Sequence, residues 1–233
     1  MKPKVICHIM ASVDGRLLPS FWTPPFDGTD PGVLFSEYAR IGASMGTDAW
    51  MFGKATTTEM IPGKYETDGT CHAKAGSVYV APRRSSRLFI TIDPEADILY
   101  TSGTLRGDDM AVVVDTTATT GYLDMLKQNG ISYVVLDNAT DLTSAVKAMH
   151  RYFGINSISL QGGGIIDGAM LAAGLLDELS LMVYPGIDGS ASSPSIFEYI
   201  GNGRPAHGQA LELISSDNLS HGIVWLRYRF VKL

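Results

Sequence analysis

The chain is predicted to fold as an α/β protein on a largely parallel sheet that ends in an antiparallel hairpin. Three observations predict this. Apolar runs of strand length alternate with stretches of helical periodicity, which implies right-handed crossover units. The last two apolar segments, 211–215 and 222–231, alternate apolar and polar residues with no helix between them. Between these features, the β-branched stretch from Ser157 runs into Gly162, Gly163 and Gly164 and then into an apolar helix.

Taken in order, residues 4–11 are a continuous apolar run that reads as a buried strand, and His8 inside it reads as a hydrogen-bonded core residue. Residues 19–31 carry Pro24-Pro25, Asp27-Gly28 and Asp30-Pro31 and read as a loop. Its Phe21, Trp22 and Phe26 either close over a flat ligand or pack the loop onto its own domain. A helix over 32–45 leads to a strand over 47–52, closed by Gly53. Within that helix Gly42-Ala43-Ser44-Met45-Gly46 has the letters of a hydrolase elbow, but the elbow needs strand before helix and here the order is reversed. A hydrolase using Ser44 is the weakest reading. Residues 61–86 read as a polar surface excursion with a short strand at 77–81, and 87–92 as a strand stopped by Asp93-Pro94. A strand at 111–114 precedes Thr116, Thr117, Thr119 and Thr120, which can cap a helix at 121–129. Strand 132–136, helix 141–153, the strand before the glycines, a helix from Ala169 stopping near Gly174 and a strand over 179–185 follow.

Composition narrows the partners. With 233 residues, 45% hydrophobic and 18% charged, the chain can bury a large core, and it is read as one domain over 1–233. Eighteen basic against 24 acidic residues leave a net charge of −6, which argues against a nucleic-acid or anionic-membrane surface and for a small-molecule substrate. Cys7 and Cys71 give neither a disulfide framework nor a metal-ligand spacing, so no metal site is expected. The start Met1-Lys2-Pro3-Lys4 has no signal-peptide core and no apolar run approaches a membrane span, so a cytoplasmic location is expected.

The glycine run is the strongest pointer to chemistry. Residues without Cβ let backbone approach a ligand, and the first N–H groups of the following helix are unpaired at the positive end of its dipole. A nucleotide diphosphate fits such a cradle; the competing reading is a glycine turn that serves close packing. The run lacks the third glycine of the dinucleotide fingerprint, since Asp167 stands there, so a Rossmann domain is not favoured. Gly53-Lys54-Ala55-Thr56 is a second strand-to-helix turn able to offer N–H groups to another part of a nucleotide.

Five pieces, in order, resemble the reductase domain of riboflavin biosynthesis, a family with a dihydrofolate-reductase-like fold. They are Ser12-Val13-Asp14-Gly15-Arg16, Asp48 to Thr56, Gln161 to Gly164, Gly174 to Leu179, and Tyr184-Pro185-Gly186-Ile187-Asp188-Gly189. The resemblance implies a three-layer α/β structure with a mixed, mostly parallel sheet, NADPH as cofactor, hydride transfer to an imine-like carbon of a ribosylamino-pyrimidine phosphate, and a homodimer. It places Gly162, Gly163, Gly164 and the N–H of Ile165 on the cofactor pyrophosphate, and Gly53 and Thr56 on the nicotinamide side. Ser12, Asp14 and Arg16 fall near the substrate, with Asp14 and Gln161 as the catalytic candidates. For a 2′-phosphate the densest supply of cations and hydroxyls is Arg83, Arg84, Ser85 and Arg87; the alternative is a solvated loop.

Two departures stand out. Gln161 occupies the position where the family carries Glu, and an amide cannot act as acid or base near neutral pH. The segment that in the family grips a substrate phosphate is replaced by Thr57-Thr58-Glu59-Met60-Ile61-Pro62-Gly63, which has no arginine. The reaction class is therefore firmer than the substrate. A true dihydrofolate reductase and a non-catalytic nucleotide-binding protein are the other readings kept.

Overall fold

The computed structural model describes residues 2–67, 69 and 71–233. Residues 68 and 70 of the expected 61–86 excursion, and Met1, lie outside the described residues. The first half of the chain supplies β1 (Lys4–Ala11), α1 (Pro31–Ser44), β2 (Ala49–Gly53), α2 (Lys54–Met60), β3 (Val78–Tyr79), β4 (Leu88–Ile92), β5 (Thr104–Leu105) and β6 (Asp108–Asp115). The second half supplies α3 (Thr120–Gln128), β7 (Ser132–Leu136), α4 (Leu142–Phe153), β8 (Ser157–Leu160), α5 (Gly164–Ala172), β9 (Glu178–Val183), β10 (Gln209–Asn218) and β11 (Val224–Lys232). The strands are mostly parallel, with an antiparallel C-terminal pair, as the alternation of segments predicts.

Contacts divide the chain into two compact units, Met1–Pro3 with Asp48–Ile158, and Lys4–Thr47 with Ser159–Leu233; β8 carries the chain from one to the other. In the first unit the strand order is β2-β4-β6-β7-β3, with β5 also on β6. β2, β4, β6 and β7 are parallel, so their C-terminal ends share one edge. That edge begins with Gly53, which pairs with Ile92, and continues to Val113 opposite Ile92. The core between sheet and helices includes Phe89, Tyr100, Met110, Tyr122 and Leu126. Thr119 caps α3 by accepting the Tyr122 N–H, the role its threonine-rich turn predicts.

In the second unit the order is β10-β11-β9-β1, with β1 and β9 parallel and β11 antiparallel to both of its neighbours. Met10, Leu34, Ile41, Met182 and Tyr184 form a core there, and Trp22 packs its ring 4.7 Å from that of Tyr184. Of the three loop aromatics, then, Trp22 serves packing, whereas Phe21 and Phe26 are exposed.

Several boundaries differ from expectation. The strand expected at 111–114 spans Asp108–Asp115, because Arg106 and Gly107, both at positive φ, turn β5 back onto its start as a tight hairpin. The helix expected from Ala169 begins five residues earlier, at Gly164. Helix propensity argues against glycine there, and packing overrides it: a Cβ on Gly164 would lie 2.3 Å from the Ser195 carbonyl oxygen, and one on Gly168 would lie 2.2 Å from that of Glu198. Ser44 is the last residue of α1 and its hydroxyl donates to the Ile41 carbonyl, an ordinary helix-end contact.

Candidate functional site

In the second unit the loops that leave β1 and β9 are laced together. The Val13 N–H donates to the Gly186 carbonyl, that of Leu17 to Pro194, and that of Thr23 to Ile187. Because β1 and β9 are parallel, this puts Ser12, Asp14 and Arg16 on the edge formed by their C-terminal ends, where open α/β sheets bind ligands.

Asp14 holds this lacing. Its carboxylate accepts from the Ser12 hydroxyl at 2.7 Å, the Asp188 N–H at 3.0 Å and the Gly189 N–H at 2.8 Å. The Ser12 hydroxyl and those two amides hold its pKa well below the usual carboxylate range. Asp14, named as a catalytic candidate, is thus held as an ionised clasp between the loops that leave β1 and β9. Ser12 is buried, and besides bonding Asp14 its hydroxyl accepts the Arg16 N–H at 3.0 Å. Arg16 donates a guanidinium N–H to the Ser193 carbonyl at 2.9 Å.

The glycine run follows β8. Gly162 has φ +81°, a left-handed conformation that side chains resist, and its missing Cβ would meet Ile9 at 2.8 Å. Gly163 is the N-cap of α5 and supplies no side-chain cap, so the first amides of the helix are left for another acceptor. Ile165 is 54% exposed, which opens this helix end to solvent. The Ser195–Glu198 segment seats on the other side: the Glu198 N–H donates to the Gly164 carbonyl at 2.8 Å. Gly164 thus serves packing, and the amides at the start of α5 have no side-chain cap.

Gln161 is held at both ends of its amide. Its carbonyl oxygen accepts from the Tyr38 hydroxyl at 2.8 Å and its Nε2 donates to the Ser159 hydroxyl at 2.9 Å. Tyr38 and Glu198 are neighbours of Gln161 and of the glycine run that sequence reasoning missed. Tyr38 sits in an otherwise ordinary helix, and Glu198 lies in a loop with no motif. Asp167, one turn into α5, is fully buried, and neither carboxylate oxygen has a hydrogen-bond partner. Burial pushes its pKa well up, with the Cys7 thiol as the opposing influence.

In the first unit Gly53 caps α2, again without a side-chain bond. Thr57 is buried with its hydroxyl 3.2 Å from that of Thr91, so the segment that departs from the family serves the core. Arg83, Arg84, Ser85 and Arg87 are not brought to Gly53. The Asp109 carboxylate accepts from the Arg84 N–H at 2.5 Å and the Ser85 N–H at 2.7 Å, and the Arg84 Nε lies 3.2 Å from it. Arg83 donates to the Ser86 carbonyl, and Arg87 lies 4.4 Å above the Trp50 ring and 3.2 Å from Asp108. These residues precede β4 and flank the start of β6, at the opposite strand ends from Gly53. Arg84 and Ser85 are thus engaged by Asp109 and Arg87 by Asp108, contacts that the density of cations in the sequence does not reveal.

The fold is an α/β chain in which the helices after Gly53 and after Gly162–Gly164 each start without a side-chain cap. The chain belongs to the RibD C-terminal domain family, whose model matches residues 3–225. Among solved structures it is similar to a pyrimidine reductase-like protein from Corynebacterium diphtheriae at 19% identity and TM-score 0.66, covering 99% of this chain and 93% of that one. It is also similar to the riboflavin biosynthesis reductase of Saccharomyces cerevisiae at 16% identity and TM-score 0.59, covering 99% and 90%. RibD from Acinetobacter baumannii matches at 17% identity and TM-score 0.60, over 99% of this chain and 58% of that one. No curated protein sequence matches. No helix among the described residues is long and apolar enough to cross a membrane.

Proposed function

We propose that residues 1–233 act as one reductase domain of riboflavin biosynthesis type. The domain transfers hydride from a reduced nicotinamide dinucleotide, NADPH by the resemblance, to a C=N bond of a pyrimidine- or pterin-like heterocycle. The observation that carries this reading is the uncapped start of α5 behind Gly162–Gly164, with Ile165 exposed. When bound, the dinucleotide supplies the hydride, and the protein's part is position and electrostatics. The amides at 163–165 would hold the pyrophosphate. Gln161, fixed by Tyr38 and Ser159, has amide hydrogen-bonding capacity left to orient a heterocycle but no proton to transfer. Ser12 and Arg16 shape the substrate edge through the Asp14 clasp. The proton that completes the reduction therefore comes from water. The same reading takes the protein as cytoplasmic, with a second copy as its protein partner.

Quenching of the fluorescence of Trp22, Trp50 and Trp225 on titration with NADPH, NADH and ATP tests the cofactor. Saturable quenching by a reduced nicotinamide and not by ATP is the expected result; quenching by ATP alone would leave a nucleotide binder without reductase chemistry. Loss of absorbance at the reduced-nicotinamide band over a panel of ribosylamino-pyrimidines and pterins, with and without a phosphate, then identifies the substrate. The missing arginine after Thr56 predicts that removing the phosphate costs little.

A further inference from the structure

Gln161 follows the last residue of β8, and its amide is held by partners that are themselves fixed. The Tyr38 ring stacks on that of His8 with centroids 4.3 Å apart and 5° between planes, and its hydroxyl faces the His8 carbonyl at 2.9 Å as well as Gln161. Ser159, the other partner, is fully buried. Helix α1 closes over this group because Gly42 has no side chain: a Cβ there would lie 3.0 Å from the His8 ring and 3.4 Å from Gln161 Nε2. Gln161 itself stays partly exposed. A primary amide has two N–H donors and two acceptor positions, so Tyr38 and Ser159 leave it one of each. Turning the amide over exchanges the roles of the two partners and leaves the same remainder.

The segment that seats on the glycine run joins this remainder to the edge where Ser12, Asp14 and Arg16 stand. Arg16 bridges to Ser195 and the Leu17 N–H donates to the Pro194 carbonyl, while the Glu198 N–H donates to the Gly164 carbonyl. The carboxylates there are engaged on the protein itself: Asp14 holds its three donors, and Glu198 accepts the Ser195 N–H at 3.2 Å. Gln161 thus offers a neutral donor and a neutral acceptor, and the complement is a ring edge with a C=O next to an N–H. An edge with two donors, such as the ring N–H and amino group of a 2-amino-4-oxopyrimidine, sets the amide N–H against a donor and leaves both unpaired. Rings of the two kinds share the C4 carbonyl and differ at C2, so the C2 side is where an amide can tell them apart. We propose that Gln161, positioned by Tyr38, reads the C2 side of a pyrimidine ring and selects a 2-oxo, uracil-type substrate over its 2-amino counterpart. This rests on the reading that Gln161 orients the substrate heterocycle, and it narrows that reading: a pterin, which is a 2-amino ring, falls outside the preferred class.

Ligand-observed magnetic resonance titrations of the full chain, with NADPH present, test it with 5,6-diaminouracil and 2,5,6-triaminopyrimidin-4-one. These rings differ only at C2, and neither carries the carbon to be reduced. The uracil is expected to bind about tenfold tighter or more. Gln161→Glu turns the spare donor into an acceptor and is expected to reverse the order. Tyr38→Phe releases the amide and is expected to bring the ratio toward one by weakening the uracil. If Gln161→Glu does not fold, Gln161→Met, which keeps the length and removes both polar groups, is expected to abolish the preference. Equal or tighter binding of the triamino ring by the wild type overturns the proposal, as does a ratio that substitution of Gln161 leaves unmoved. Binding of neither ring overturns it too, and the quenching titration with reduced nicotinamide then reports separately on the reductase reading.

Discussion

At His8 the surroundings decide which imidazole nitrogen carries the proton. Nε2 lies 3.1 Å from the Tyr38 carbonyl, an acceptor, so it must be the donor. Nδ1 then accepts from the Ser180 hydroxyl at 3.0 Å, which in turn accepts from Trp225 Nε1 at 2.8 Å. His8 is thus a satisfied core residue, as its place in an apolar run predicts, and burial lowers its pKa to about 4. A depressed pKa gives stability that is present above the unfolded value near 6.5 and lost as pH falls through 4, at most about 3 kcal/mol over that window. Denaturant titrations at pH 7 and pH 4 should show this loss, and His8→Gln should flatten it. Asp167 has the opposite sign. Its raised pKa means stability is greatest below the unfolded carboxyl value and declines as pH rises toward the folded one. Asp167→Asn keeps the shape and removes the charge, so it should stabilise the protein by about 1–3 kcal/mol at pH 8 and by less below pH 4. A destabilised variant at pH 8 would show that Asp167 has a partner that the fold does not reveal.

The element that best separates packing from binding is α5. Gly164→Ala would drive a methyl group into the Ser195 carbonyl and should cost about 2 kcal/mol or more, because the obstacle is backbone and cannot turn aside. Ile165→Ser, at an exposed position whose amide is unchanged, should leave stability within about 0.5 kcal/mol of the wild type and keep cofactor quenching. Thermal melts of the two variants check both outcomes. The glycines were legible in sequence as a strand-to-helix turn, since three consecutive residues without Cβ signal close approach. What approaches was not legible: Glu198 lies 34 positions beyond Gly164, with nothing local to mark it. Element order was legible from periodicity, while α5 began early because tertiary contact outweighed glycine's poor helix propensity. The partners of the arginines at 84 and 87 were hidden for the same reason. The density of cations could be read, but Asp108 and Asp109, which claim them, become neighbours only through the pairing of β4 with β6.

At the scale of the whole molecule, the C-terminal hairpin leaves apolar surface uncovered. Leu211 stands opposite Phe230 and Leu213 opposite Tyr228, so the four side chains share one face of β10 and β11. Leu211 is 48% and Leu213 56% exposed, and β10 is an edge strand ten residues long with β11 as its neighbour in the sheet. An exposed apolar edge of this length invites pairing with another chain. An antiparallel edge can pair with its own copy about a two-fold axis, because each strand then offers the other the same row of groups in reverse. This supports the proposed homodimer, with β10 as the proposed seam. Light scattering behind a sizing column should give twice the chain mass of 25.1 kDa. Leu211→Glu with Leu213→Glu puts like charges across the two-fold and should shift the protein to monomer. Both side chains already meet solvent in the single chain, so the far-ultraviolet circular dichroism of that monomer should match the wild type. A wild type that elutes as monomer at micromolar concentration would instead leave the hairpin as an uncovered edge, and the bulge between Leu213 and Ser215 would then be what keeps copies apart.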